Sequence, residues 1–179
     1  MQYSTRYVSP LGAMLVASDD DNLVGLWIEG QKYFGGTVSG EFSEKDDQPV
    51  LKAARKWLDA YFAGKKPAVS DLPLAPAGGE FRREVWKILC DIPYGAVITY
   101  GEIAGKMAAA MGKKSMSAQA VGGAVGHNPI SVIIPCHRVV GSGGSLTGYA
   151  GGIDKKIALL TLEGVDVSRF TIPTKGTAL

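Results

Sequence analysis

The chain's 179 residues are 46% hydrophobic and 20% charged, with a formal net charge of +2, the make-up of a soluble globular protein of one generous domain or two small ones. No apolar run approaches the roughly 20 residues needed to span a bilayer, and the start, Met1-Gln2-Tyr3-Ser4-Thr5-Arg6, has no basic-then-apolar signal pattern. Two cysteines, Cys90 and Cys136, are too few for a secreted disulfide framework and suggest a reducing cytosol; with only two histidines beside them, their spacing matches no common zinc finger.

The first third reads as strands. Gln2 to Val8, Ala13 to Ala17 and Leu23 to Ile28 are short runs rich in Tyr, Val, Leu and Trp. Ser9-Pro10-Leu11-Gly12 and Asp19-Asp20-Asp21-Asn22 separate them as turns, which predicts a small antiparallel sheet. A polar, Gly-rich stretch runs from Gly35 to Gln48. Val50, Leu51, Ala54, Trp57, Leu58, Tyr61 and Phe62 then recur at helical spacing, and Gly64 closes the pattern.

Residues 67–79 contain three prolines and two glycines and read as a linker. The expected domains are therefore 1–76, an N-terminal α/β domain, and 77–179. Charge changes sign here: residues 1–80 hold 8 basic and 11 acidic side chains, residues 81–179 hold 11 basic and 6 acidic. A basic C-terminal half suits phosphate binding, although a solvated surface of that charge is common.

Phe81, Val85, Trp86, Leu89 and Cys90 mark one apolar helical face that ends at Ile92-Pro93-Tyr94-Gly95, and Cys90 there reads as a core residue. Thr99-Tyr100-Gly101-Glu102 has a capping-box pattern before Ile103, Ala104 and Met107. A third helix is predicted after Ser117, from Ala118 to Val125. Two short helices joined by a polar turn resemble a helix-turn-helix, though a plain helical hairpin fits the same pattern. The pair Gly122-Gly123 weakens a helix interior by about 1 kcal/mol per glycine relative to alanine, and suits close approach by another backbone.

Ile133 to Val140 read I-I-P-C-H-R-V-V, setting a thiol beside an imidazole. Such a pair supplies a polarisable sulfur and a group to take its proton. Neighbours in a strand point opposite ways, so contact between them does not follow, and a buried Cys beside a structural His remains open at this point.

The segments Pro93-Tyr94-Gly95 with Thr99-Tyr100, Ala120-Val121-Gly122-Gly123-Ala124 with Asn128-Pro129, Pro135-Cys136-His137-Arg138-Val139, and Gly148-Tyr149-Ala150-Gly151-Gly152 with Leu162-Glu163-Gly164 fall in one order. Together they resemble the methylated-DNA–protein-cysteine methyltransferases, the 6-O-alkylguanine-DNA alkyltransferases. The resemblance covers the C-terminal half; the N-terminal half matches only in size and strand-rich character. It implies an α+β fold: a small N-terminal antiparallel sheet with a helix, then a mostly helical C-terminal domain containing a helix-turn-helix with winged-helix character.

The resemblance also implies a DNA repair protein that moves the alkyl group of 6-O-methylguanine, and of 4-O-methylthymine, onto its own cysteine in one stoichiometric reaction. It implies neither cofactor nor metal. Cys136 would be the acceptor, activated by His137 through a water, with Glu163 fixing the imidazole and Asn128 bracing the turns around the site. Tyr100 would contact the extruded guanine or its 3′ phosphate, and Tyr149 would wall the pocket. The carbonyls of Val139 and Cys136 would accept from the base amine, and the Ala150 N–H, where the family often has Ser, would face the 6-oxygen.

The helix carrying Gln119, Ala120 and Gly123 would enter the minor groove of double-stranded DNA. Gln119 departs from the family, which usually carries there an Arg that fills the gap left by the base; slower repair is the expectation. Arg138 reads as pairing with an acid to hold the fold, and His127 as a surface or DNA-facing residue. The chain is expected to act as a cytoplasmic monomer, nucleoid-associated when bound to DNA, and away from membranes. Two other readings compete. A lesion-binding relative without transfer activity would usually lack the Cys, and the helix-turn-helix context argues against a Cys-His hydrolase.

Overall fold

Strands form where small turns interrupt the apolar runs of the first third. A computed structural model describes residues 1–173; residues 174–179, the end of the chain's tail, lie outside the described residues. β1 (Tyr3–Ser9), β2 (Gly12–Ser18) and β3 (Leu23–Ile28) pair antiparallel as a meander. The sheet is not purely antiparallel, however: β4 (Ser43–Glu44) adds to the free edge of β1 in parallel, giving the order β3-β2-β1-β4. Two polar residues carry no hydrophobic period, so this strand is invisible in the polar stretch that contains it.

α1 (Pro49–Phe62) packs on the sheet through Val50, Leu51, Ala54, Trp57, Leu58 and Tyr61, the predicted apolar stripe apart from Phe62, which is only half-buried. Pro49 opens the helix, where a missing N–H costs nothing, and the Gln48 side chain caps the Leu51 N–H at 2.9 Å. The expected linker is partly built into this unit. Leu72 is buried, and the backbone of Leu23 exchanges hydrogen bonds with Pro73 and Ala75, so residues 72–75 run as an extra extended segment.

The second half is helical: α2 (Glu80–Cys90), α3 (Tyr100–Ala110), α4 (Ala118–Gly126) and α5 (Ile153–Leu162). The Thr99/Glu102 capping box starts α3 as expected, and Ser117 caps α4 through the Ala120 N–H at 3.3 Å. α2, α3 and α4 pack on one another, with the buried Trp86 indole donating to the Ala124 carbonyl at 2.9 Å. Cys90, expected in the core, is only half-buried at the end of α2. β5 (Ile98–Thr99) pairs in parallel with β6 (Val139–Val140) and ties the start of α3 to the Cys136 segment. Val140, Leu146, Leu160 and Val165 form a local core beneath α5.

The described residues divide into two compact units, residues 1–78 with 129–133, and residues 79–128 with those from 134 onward. The apolar stretch 129–133 thus belongs to the first unit, where Leu26 bonds to Pro129 and Ser131. No helix among the described residues is long and apolar enough to cross a membrane.

Candidate functional site

Cys136, His137 and Arg138 form a single 3₁₀ turn that follows Pro135, not an extended strand. Three residues per turn send successive side chains about 120° apart. The turn is what brings both His137 and Arg138 onto one acceptor, the carboxylate of Glu163. Glu163 is the residue after α5 and is buried there, not solvent-facing.

The carboxylate is fully engaged. His137 Nε2 lies 2.7 Å from Oε1. Arg138 donates from Nε to Oε2 and from Nη2 to Oε1, both at 2.8 Å. The Gly95 N–H adds a bond to Oε2 at 3.3 Å, which accounts for the Pro93-Tyr94-Gly95 motif. Gly95 sits at φ +78°, and a side chain there would also press on the Glu163 carbonyl at 3.0 Å. Arg138 Nη1 donates to the Ile92 carbonyl at 2.6 Å, and its guanidinium lies 5.7 Å from the Tyr94 ring centre. The arginine is therefore paired with an acid, as read from the sequence.

Burial by itself would raise the Glu163 pKa, but the hydrogen bonds and charges of His137 and Arg138 overcome it and bring the group to about 2. An ionised carboxylate only accepts, so Nε2 of His137 carries the hydrogen. Burial pushes the His137 pKa down, against Glu163 and with the charges of Arg138 and Lys156, so the ring is neutral. Its other nitrogen, Nδ1, is left as the acceptor; it is buried and has no protein partner.

Cys136 is 6% exposed. Burial raises its pKa, offset in part by a hydrogen bond from Asn128, the charge of Lys156 and the backbone of its own turn. The resting sulfur is a thiol that needs a base. Asn128 also donates from Nδ2 to the Ile134 carbonyl at 2.8 Å, bracing the approach to the turn.

Lys156 escapes a motif-based reading of the sequence. It is fully buried on α5, with its ammonium donating to the Val139 carbonyl and, at 2.8 Å, to the Thr147 carbonyl. Burial lowers its pKa to about 8, against the pull of Cys136. One signal was present: Lys156, Leu160 and Glu163 stand at i, i+4 and i+7, a single helical face. Both carbonyls expected to receive a base amine are thus already in use, Val139 by Lys156 and Cys136 by the Val139 N–H, each keeping a second lone pair.

Tyr100, the first residue of α3, donates its hydroxyl to the Thr147 carbonyl at 3.1 Å. Gly148 at φ +73° makes this contact possible, since a Cβ there would sit 2.9 Å from the Tyr100 oxygen. Tyr149 is 7% exposed, its buried hydroxyl has no protein partner, and Ala150 beside it is half-buried. Cys136 and Glu163 are near enough to Tyr149 to push its pKa up, behind burial as the main cause. Gln119, Ala120 and Gly123 stand apart from this cluster, on the exposed face of α4. His127 ends that helix, its Nδ1 2.7 Å from the Gly123 carbonyl.

Comparison with known proteins gives this arrangement a family. Residues 80–165 match the 6-O-methylguanine DNA methyltransferase, DNA binding domain, and residues 2–76 match the ribonuclease-like domain of the same proteins. The chain is 38% identical to the methylated-DNA–protein-cysteine methyltransferase of Haemophilus influenzae, over 91% of this chain and 87% of that one. It is 44% identical to that of Methanosarcina barkeri, over 87% of this chain and 92% of the relative. Among solved structures, Mycobacterium tuberculosis OGT in complex with DNA superposes with a TM-score of 0.77 at 39% identity, covering 94% of each chain. With matches this long at both ends, the chain belongs to the 6-O-methylguanine DNA methyltransferase family.

Proposed function

We propose that this protein repairs DNA by taking the alkyl group from the 6-oxygen of guanine onto Cys136, once per molecule. One observation carries the reading: a buried thiol lies next to a neutral imidazole whose Nε2–H is tied to Glu163 and whose Nδ1 is an unpartnered acceptor. A water between the thiol and Nδ1 passes the Cys136 proton to His137, and the thiolate attacks the alkyl carbon. The carbon–sulfur bond forms as the carbon–oxygen bond breaks. The electron pair stays on the guanine oxygen, and the base takes back a proton. A thioether is a poor leaving group at neutral pH, so nothing resets the sulfur. 4-O-methylthymine presents the same alkyl–oxygen bond and is a second substrate.

A thiol this buried reaches a duplex base only if the base leaves the stack, at a cost of a few kcal/mol. α4 enters the minor groove with Gln119, Ala120 and Gly123 toward the DNA. Tyr100 and Tyr149 enclose the extruded base, the Ala150 N–H meets the 6-oxygen, and the free lone pairs of the Val139 and Cys136 carbonyls take the base amine. One monomer suffices, since every residue named lies within one unit.

Mass spectrometry after mixing the protein with 6-O-methylguanine duplex tests this. One methyl group on the Cys136 peptide, with transfer stopping at one equivalent, is the expected result, and Cys136→Ala binds the same duplex unmodified. Turnover beyond one equivalent, or methyl on another residue, refutes it.

A further inference from the structure

The reaction asks two opposed things of His137. Its ring must be held in one tautomer by a negative charge, yet it must rest neutral, because an imidazolium cannot accept the thiol proton. A buried carboxylate at 2.7 Å with no counter-charge would satisfy the first demand and defeat the second, because a close opposite charge holds a histidine protonated. We infer that Arg138 is the positioning residue that reconciles them: its fork clamps both Glu163 oxygens, so the carboxylate aims the imidazole without keeping it charged.

The geometry is specific to this task. Nε and Nη2 take one oxygen each, both at 2.8 Å, and Nη1 is anchored on the Ile92 carbonyl at 2.6 Å. The guanidinium therefore cannot swing away without breaking a third bond. It also fixes which carboxylate oxygen meets the ring, since Oε2 is taken by Arg138 and the Gly95 N–H while Oε1 is shared with His137. The charged and titratable groups facing the imidazole are Glu163 at the end of α5, Arg138 on its own turn and Lys156 from within α5, with the Cys136 thiol beside it. Burial does most to keep the ring neutral, and the charges of Arg138 and Lys156 work in the same direction against Glu163. When the thiol proton arrives at Nδ1, the imidazolium still donates through Nε2, and the clamped carboxylate stays ionised and leaves that proton on the ring. The proton thus goes no further than His137, where it stays until the departing guanine takes one up. The pairing that reads from the sequence as a fold-holding contact also sets when the ring is charged.

This inference rests on the alkyl-transfer reading, so its test has an arm without DNA. His127 and His137 are the only histidines, which makes an NMR titration of the two imidazoles in the free protein assignable. His137 should remain neutral at pH 7 in the parent. In Arg138→Met its apparent pKa should rise by about 1 to 3 pH units, the range for exposing a group to one unopposed charge. Arg138→Lys keeps a cation but cannot span both oxygens and the Ile92 carbonyl, so a smaller rise of the same sign is expected. It also serves as the reading should the Met variant not fold. The second arm is the pH profile of single-turnover methyl transfer, whose acid limb should move to higher pH with the titration. A folded variant with an unshifted His137, or a rate lowered equally at every pH, would overturn the assignment and leave Arg138 a purely structural residue. Failure of the parent to methylate Cys136 would instead sink the alkyl-transfer reading and leave the titration result standing.

Discussion

Gly123→Ala should make the protein more stable and worse at repair. Gly123 is exposed in the interior of α4, and a Cβ placed there meets nothing within 4 Å. The glycine therefore serves no packing need of the protein, and its helix penalty of about 0.8–1.0 kcal/mol relative to alanine is recoverable. For a chain this long each kcal/mol raises Tm by about 2–4 °C, so the variant should melt about 2–4 °C higher. Gly123 shares a helix face with Gln119 and Ala120, four and three residues earlier. If that face lies against the minor groove, an added methyl holds the DNA off. A loss of about 1–2 kcal/mol corresponds to a 5- to 30-fold slower single-turnover transfer from dilute duplex. The free alkylated base, which needs no groove contact, should react at the parent rate. Calorimetry and quench-flow on the same preparation measure both quantities. A stabilised variant that still repairs duplex DNA at the parent rate would refute the placement of α4.

Glu163 carries a pH prediction. Its folded pKa of about 2 lies below the ordinary 4.5, so it contributes stability that is complete above about pH 5 and disappears as pH falls through 2. At about 1.4 kcal/mol per pH unit this is of the order of 3 kcal/mol. Glu163→Gln should lose about 3–5 kcal/mol at neutral pH, because it strands the buried Arg138 charge, and urea titrations across pH 2–7 should show a flatter acid limb. Lys156→Met removes the Lys donor from the buried Val139 carbonyl and should cost about 1–3 kcal/mol in urea unfolding; an unchanged midpoint would show that the carbonyl finds another partner. Gln119→Arg should speed methyl transfer from duplex DNA and steepen its salt dependence by about 0.9 in log–log slope for one added phosphate contact. An unchanged or lower rate would count against a role for residue 119 in base extrusion.

Legibility in the sequence followed the length of the signal. β3 (Leu23–Ile28) and the α1 stripe from Val50 to Tyr61 were readable because many residues repeat one period. The capping box at Thr99 was readable because it is chemistry local to four residues. β4 and the extended pairing of residues 72–75 with Leu23 were not, since partner strands decide them and two or three residues hold no period. The turn at Cys136 was not readable for the same reason: an apolar approach, Ile133-Ile134, says nothing of the three polar or ionisable residues after Pro135. Cys136, His137 and Glu163 were found by motif resemblance, because their proximity spans 26 residues of chain that no local pattern encodes. Lys156 was missed because a lysine is by default a surface residue, and only its place on one helical face with Leu160 and Glu163 marks it as buried.

The Thr147 carbonyl accepts from both the Tyr100 hydroxyl and the Lys156 ammonium. Such double occupancy changes what it takes for the tyrosine to move. A hydroxyl bonded to a singly served buried carbonyl leaves behind an orphan acceptor, worth about 1–3 kcal/mol, when it turns elsewhere. Here the lysine stays bonded after the tyrosine departs, so the acceptor is never orphaned. Tyr100 is thus held in place yet released at the cost of a single ordinary hydrogen bond, about 1 kcal/mol, which any polar atom of an incoming base can return. The Lys156 bond continues to tie the Thr147 carbonyl through such an exchange, so the side chain can turn without freeing the backbone it was bonded to.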